Sequence, residues 1–457
     1  MAKSEKKSDK STPMMEQYWG IRNTLPPDTI LLFRLGDFYE MFYDDANEGS
    51  RILGITLTKR QNYPMAGIPY HAADQYIPKL LSAGKKVAIC DQNEIPRLGQ
   101  LVKRSLTRIL TAGTTIEDSQ LEGNRSNFIM SLDIDPSRRL YAAWLDLSTS
   151  EFYCSEFDNP EDFLPILSAC NPKEILLPED ASRRWADTPN LTMWNALFRG
   201  LIDLTPVTLL HDYRFEPSWG AEQVRETLGV LSLDGFGIPR GSRLTGPAGA
   251  LVFYATENLR GRPQNLRTLR KFSGKKCVLI DPSTQRNLEI FKSSSGSRDG
   301  SLLSVMDETR TAAGARLLEA YLGAPTIEID EILRRQNTVW ELYAAPAECS
   351  RIEERLGQVR DIARILSRLQ NRVRNPRELT AIRATAEQVE PIKNLLKQVG
   401  GKLCAKAADA LPDFSELLTL LDRAPRRKQF FALGGSGRRR DTAGLRPRAR
   451  PSALALE

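Results

Sequence analysis

The sequence predicts an α/β protein that passes into a long-helix α region, and three observations predict it. Up to about residue 248, short apolar runs bounded by Pro, Gly, Asp and Asn alternate with helical patterns. From about Gly249 apolar positions recur at i, i+3 and i+4 over long stretches, with Arg and Glu on the remaining faces. At 457 residues, 41% hydrophobic and 26% charged, the chain is long enough for about two to four globular domains with cores of their own.

Composition excludes several classes. No stretch is long and apolar enough to span a bilayer, and Met1 to Lys10 has no apolar region behind it to make a signal peptide, so a cytoplasmic protein is expected. Six cysteines are scattered without a Cys-x-x-Cys pair and the two histidines, His71 and His211, lie far apart, which argues against a zinc site or disulfide framework. The formal charge is +7, but residues 424 to 457 hold nine Arg or Lys against Asp441 and Glu457. That stretch alone carries the excess, so residues 1 to 423 sum to zero. DNA contact in the folded part must come from local patches.

In chain order, residues 1–12 are a polar lead, and Pro13 opens a helix from Met14 to Arg22. Ile30 to Leu35 reads as a buried strand, Gly36 and Asp37 turn the chain, and Phe38 and Glu40 then share one face of an extended segment. Spacing leaves two roles open for the pair: a ring and an acceptor presented together, or a core Phe beside a helix-capping Glu. Asp44 to Gly49 reads as a helix, Ile52 to Lys59 as a strand, Tyr63 to Ala72 as a Pro/Gly-rich turn, Ala73 to Ala83 as a helix and Lys85 to Asp91 as a strand. The unit spans residues 13–115. Lys59-Arg60, Lys85-Lys86 and Lys103-Arg104 with Arg108 are basic groups for phosphate contact, or plain solvated surface. His71 reads as a structural polar residue.

Residues 116–127 lie in a stretch rich in Glu, Asp, Ser, Asn and Gly and read as a linker. A second α/β unit, 128–248, has strands at Phe128 to Asp133, Leu140 to Leu147, Ser150 to Phe157 and Pro172 to Pro178. Asp133, Asp135 and Asp146 stand at strand ends where a magnesium nuclease holds carboxylates, although Asp135-Pro136 is also ordinary turn chemistry. Residues 249–423 form the helical part, with helices at Ala250 to Asn258, Arg310 to Leu322, Ile329 to Tyr343, Ala347 to Asn371 and Pro376 to Gly400. Its Arg-rich faces, such as Arg351 to Arg374, read as solvated or ion-paired.

From Thr12 to Asp422 these residues resemble the bacterial MutS family of mismatch-recognition proteins. Gly36-Asp37-Phe38-Tyr39-Glu40 is similar to the family's Phe-x-Glu reader, and Pro64 to Ala72 to its Pro-Met-Ala-Gly-Ile-Pro-Tyr-His-Ala stretch. Arg104 to Gly113 resembles the segment leaving the first domain. Asp281 to Glu289, Gly300-Ser301-Leu302-Leu303 and Asp307-Glu308-Thr309-Arg310-Thr311 resemble the opening of the core domain; Asp91 to Gln100 departs from the pattern. The resemblance implies a mixed α/β mismatch-reader domain, a ribonuclease-H-like connector domain and a long-helix core or lever domain. It implies that Phe38 wedges at a mispair from the minor groove while Glu40 hydrogen-bonds the base. Beside that pair, Lys59, Arg60, Met65, Tyr70, His71, Lys103, Arg104 and Arg108 are candidate contacts to the DNA backbone.

The partners so implied are duplex DNA with mismatches or small loops, a MutL-type protein at the connector, and a second copy of the chain. The family binds ATP and Mg, but no Gly-x-x-x-x-Gly-Lys-Ser/Thr occurs here, so no catalytic residues, metal or cofactor are expected and this chain reads as a binding protein rather than an enzyme. Dimerisation through the family's ATPase is accordingly expected to be lost. The resemblance stops after Asp422. Residues 424–457 read as a frameshifted, unstructured tail on a truncated family member, because Gly444 to Pro451 read one nucleotide later permits Gly-Tyr-Asp-Pro-Glu-Leu-Asp; the alternative is a stand-alone DNA- or partner-binding module that uses the basic tail.

Overall fold

A computed structural model describes residues 12–60, 63–92, 102–135, 137, 139–181, 205–273, 276–278, 280–371 and 376–423. The expected lead (residues 1–11), most of the departing stretch at 93–100 and the expected tail from residue 424 lie outside the described residues.

The N-terminal unit is a six-stranded sheet of β1 (Thr29–Leu35), β2 (Phe38–Phe42), β3 (Thr58–Arg60), β4 (Tyr63–Pro69), β5 (Lys86–Gln92) and β6 (Arg104–Leu110), in spatial order β3-β4-β2-β1-β5-β6. Only β1 and β5 run parallel. Ile30, Leu32, Tyr39, Met41 and Ile68 line one face, under α2 (Tyr43–Leu53) and α3 (Ala73–Ser82). Leu31, Phe33 and Phe42 line the other, where Tyr18 of α1 (Pro13–Arg22) packs edge-on against Phe33 and Phe42 at 5.7 and 5.1 Å. The alternation of strand side chains thus buries both faces.

Two expectations here are corrected. Ile52 and Leu53 close α2 rather than open a strand, because Ala46, Gly49 and Leu53 are buried at helical spacing; the strand is confined to Thr58–Arg60. The Pro/Gly-rich stretch is not all turn: Tyr63 to Pro69 is strand β4, followed by a 3-10 turn, Tyr70–Ala72. The strand tolerates its prolines because Pro64 pairs only with edge strand β3 and Pro69 closes the ladder with β2.

The second unit is a sheet of β7 (Ile129–Ile134), β8 (Leu140–Asp146), β9 (Glu151–Phe157), β10 (Glu174–Pro178), β11 (Val207–Leu210) and β12 (Arg270–Lys271), in order β11-β10-β7-β8-β9-β12. β7, β8 and β9 are antiparallel, while β10 runs parallel to β7 and β11. Helix α4 (Pro160–Cys170) covers one face with Phe163 and Ile166. Helices α5 (Pro217–Leu228) and α6 (Thr245–Leu259) cover the other through Val224, Leu251, Val252 and Ala255. Since α6 packs on this sheet, the expected boundary at residue 248 falls inside a helix of this unit. The close crossing of α5 and α6 requires glycine: a Cβ on Gly249 would lie 2.2 Å from the Gly220 Cα. Gly249→Ala is expected to destabilise this unit by about 2–3 kcal/mol in urea unfolding, since backbone rather than a side-chain tip must yield.

The remaining residues are mainly helical and include α7 (Pro282–Asn287), α8 (Leu302–Met306), α9 (Ala312–Gly323), α10 (Ile329–Tyr343), α11 (Pro346–Leu356), α12 (Ile362–Gln370) and α13 (Pro376–Val399). The single helix expected from Ala347 to Asn371 is two. Asp361 breaks it by capping α12 and pairing with Arg316 of α9 at 2.7 and 3.0 Å. Helix α10 leaves Ile329, Val339, Trp340 and Tyr343 exposed.

The expected linker is not a loose tether. Thr114, Thr115 and Ile116 are buried. Arg364 of α12, 2% exposed, donates to the carbonyls of Glu122, Gly123 and Arg125 and to Ser148 Oγ, and Arg316 donates to Gly123 O. Arg368 pairs with Asp118 and, at 2.8 Å, with Glu378. The helical part therefore grips the segment joining the two sheets through buried, hydrogen-bonded guanidinium groups.

Candidate nucleic-acid interface

The β1–β2 hairpin presents the candidate pair. Leu35 faces Phe38 across a two-residue turn, and Gly36 takes φ +58°, which glycine adopts without a Cβ penalty. Period two then sends Tyr39 and Met41 into the core and keeps Phe38 and Glu40 on the face that α1 covers only in part. Phe38 is 46% exposed and Glu40 is half-buried, so neither is the core-and-cap pair that spacing also allowed. The neighbouring strand confirms the shared side: a Cβ on Gly67 would sit 3.5 Å from Glu40 Cγ and 3.8 Å from Phe38 Cδ1.

A cleft of about 530 Å³ opens beside them, lined by Phe38, Glu40, Gly54, Ile55, Thr56, Thr58, Met65 and Gly67. Burial pushes the Glu40 carboxyl above its ordinary value, and Arg60, with Nη1 3.4 Å from Oε2, pulls the other way. Beneath the tip the hairpin is braced. Tyr39 donates to Asp91 at 2.7 Å, the Arg34 guanidinium lies 3.3 Å from the Tyr70 ring centre, and Tyr70 N donates to Asp37 O. An exposed ring on so fixed a support is presented rather than left over.

The other candidate positions divide. Met65 lines the cleft, Arg60 pairs with the cleft residue Glu40, and Tyr70 and His71 stand exposed where β4 ends. Lys59 and Lys103 are exposed; pleat alternation turns Lys59 away from the cleft. Arg104 is internally engaged, donating to Arg34 O at 2.7 Å and Val102 O at 2.9 Å over the Phe33 ring, and burial lowers its pKa. Arg108 pairs with Glu117, Lys85 with Glu48 and Lys86 with Asp28. The cleft residues Ile55, Thr56 and Thr58 escaped sequence reasoning because nothing local marks them; the β3–β4 register, Thr58 opposite Met65, brings them in.

The three acids of the second unit do not form a metal cradle. Asp146 is buried, and its oxygens accept from Asn127 N, Ser148 N and Ser148 Oγ at 2.6 to 2.8 Å. Asp135 accepts from Ser137, Arg139 N and Tyr141. Asp133 Oδ1 accepts from Ile134 N. Among the described residues no group of three His, Cys, Asp or Glu is placed to hold a metal ion, and no helix is long and apolar enough to cross a membrane.

Three family models match in order: MutS domain I over residues 12–119, MutS domain II over 127–267 and MutS domain III over 283–430. Among curated proteins, the chain is 36% identical over 431 residues to the DNA mismatch repair protein MutS of Syntrophobacter fumaroxidans, covering 91% of this chain and 47% of that protein. It is 34% identical over 417 residues to that of Protochlamydia amoebophila (91% and 48%) and 36% identical over 437 residues to that of Rhizobium meliloti (92% and 46%). The chain thus spans about half the length of the curated relatives it matches.

Proposed function

We propose, because the chain belongs to the MutS family, that it binds duplex DNA at mispairs and small loops, with Phe38 as the wedge and Glu40 as the hydrogen-bonding partner of the unstacked base. One observation carries this: a 46% exposed Phe38 stands beside a half-buried carboxylate on a braced hairpin, next to an open cleft. Inserting a ring between base steps costs a few kcal/mol of unstacking, and least where pairing is already broken, so the wedge converts local weakness of the duplex into preference. The carboxylate is repelled by phosphate, so Glu40 discriminates more than it binds. Candidate backbone contacts at Arg60, Lys59, Lys103, Tyr70 and His71 position the duplex without reading it.

The order β9-β8-β7-β10-β11 supports reading the connector as ribonuclease-H-like, with its acids in structural roles. A MutL-type protein at the connector and a second family chain are the partners this function implies. A gel-shift comparison of the chain on matched and mismatched duplexes tests the proposal: retarded mismatched duplex at protein concentrations that leave matched duplex free supports it, and equal retardation refutes it.

Glu40 makes the preference pH-dependent. Its raised pKa means the folded protein holds the proton more tightly than the unfolded chain, so the associated stability is complete below the ordinary carboxylate range and is lost as pH rises through the raised value. Phosphates nearby favour the proton further. Glu40→Gln, which removes the charge and keeps the shape, is expected to bind matched duplex more tightly than wild type and to narrow the mismatch preference. Anisotropy titrations from pH 8 downward should show wild type approaching the variant as the pH falls toward the carboxylate range.

A further inference from the structure

β3 is an edge strand of the first sheet, and Arg60 pairs there with Tyr63 of β4, on the side that carries Glu40. The ion pair they make is long, 3.4 Å, and joins one nitrogen to one oxygen rather than two to two. Its members differ in freedom. The Arg60 side chain is 44% exposed on an edge strand, whereas that of Glu40 is 16% exposed, in a strand hydrogen-bonded on both sides. The acceptor is fixed and the donor can leave. A duplex brings competitors for both: phosphates for the guanidinium and a base edge for the carboxylate.

We propose that Arg60 is a positioning residue for mismatch reading, which holds Glu40 in the DNA-free protein and is drawn off by the phosphate backbone, so that Glu40 is released to the base only once the duplex has docked. The inference rests on the mismatch-reading role of Glu40 and adds a source for its discrimination. On a matched duplex Glu40 finds no unstacked base and keeps Arg60, which is then unavailable to the phosphates; a mispair supplies Glu40 with a new partner and frees Arg60 for the backbone. Among the described residues, the charged and titratable groups around Glu40 are few. Arg60 faces it from β3, and Tyr63 from β4 feels both charges, its phenol raised first by burial. Arg104 of β6 lies over the ring of Phe33, the β1 residue paired with Glu40, but is committed to backbone carbonyls.

The test is a double-mutant cycle on the full chain: wild type, Arg60→Gln, Glu40→Gln and the double variant, titrated against matched and G·T-mismatched duplexes from pH 6 to pH 8.5 and over a salt series. Arg60→Gln is expected to lower the mismatched-to-matched affinity ratio about two- to fivefold, the range for a part-exposed ion pair. It should also move the pH profile of that ratio upward, since Glu40 loses the cation that favours its ionised form, and reduce the salt slope by about one. In the Glu40→Gln background Arg60→Gln should leave the ratio unchanged, and Arg60→Lys should restore the pH profile. If Arg60→Gln weakens both duplexes by one factor with the pH profile unmoved, or alters the ratio equally without Glu40, the proposal is overturned. Phe38→Ala run alongside separates the two ideas: loss of preference there, with no Arg60–Glu40 coupling here, removes the positioning role alone.

Discussion

Phe38→Ala is expected to abolish the proposed mismatch preference: mismatched duplex should bind about 30-fold more weakly, or worse, and fall to the affinity of matched duplex. The factor follows from treating the ring as a central anchor worth about 2 kcal/mol or more. Alanine cannot fill the gap opened between base steps, so the protein keeps its phosphate contacts and loses what distinguishes one duplex from another. Matched-duplex affinity should change little. Since Phe38 is 46% exposed, folding stability should stay within about 0.5 kcal/mol, which separates lost reading from lost fold. Phe38→Tyr should retain most of the preference. An alanine variant with wild-type preference in filter binding would remove the wedge from the account.

Arg364→Ala is expected to destabilise the chain by about 3–5 kcal/mol, the range for removing one partner from a buried charged cluster. Burial lowers the Arg364 pKa, yet the guanidinium is held among Asp146, Asp361 and Asp118 and donates to three linker carbonyls and Ser148. Its loss strands those acceptors in the interior. Arg364→Lys should rescue little, because one ammonium cannot span the same carbonyls. Hydrogen exchange locates the damage: amides of residues 118–126 should exchange faster while those of β1 and β2 keep their protection. Unaltered exchange in 118–126 would show that the clamp does not hold the linker.

Much of the N-terminal unit was legible in the sequence. Helix α1, the strand before Gly36, the pair Phe38 and Glu40 on one face, and helix Ala73–Ser82 all follow from period and punctuation, which act locally. The failures share a cause. Tyr63 to Pro69 looks like a turn by composition and is a strand because its prolines fall where no ladder donor is needed. The Arg-rich run around Arg364 reads as solvated or ion-paired by composition, and Arg368 is ion-paired, but Arg364 is buried because carbonyls from residues 122–125 come to meet it.

By itself, then, the sequence determined the succession of two α/β units and a helical part, and it set Phe38 beside Glu40, since a two-residue repeat needs no partner to place side chains on one face. Only the tertiary structure decided that Phe38 stays exposed, that Arg60 rather than Lys59 meets Glu40, that Arg104 is spent on Arg34 and Val102, and that the linker is clamped. The physical reason is that burial and charge pairing are relations between segments distant in the chain. A guanidinium reads the same in water and in a core until the groups that surround it are known.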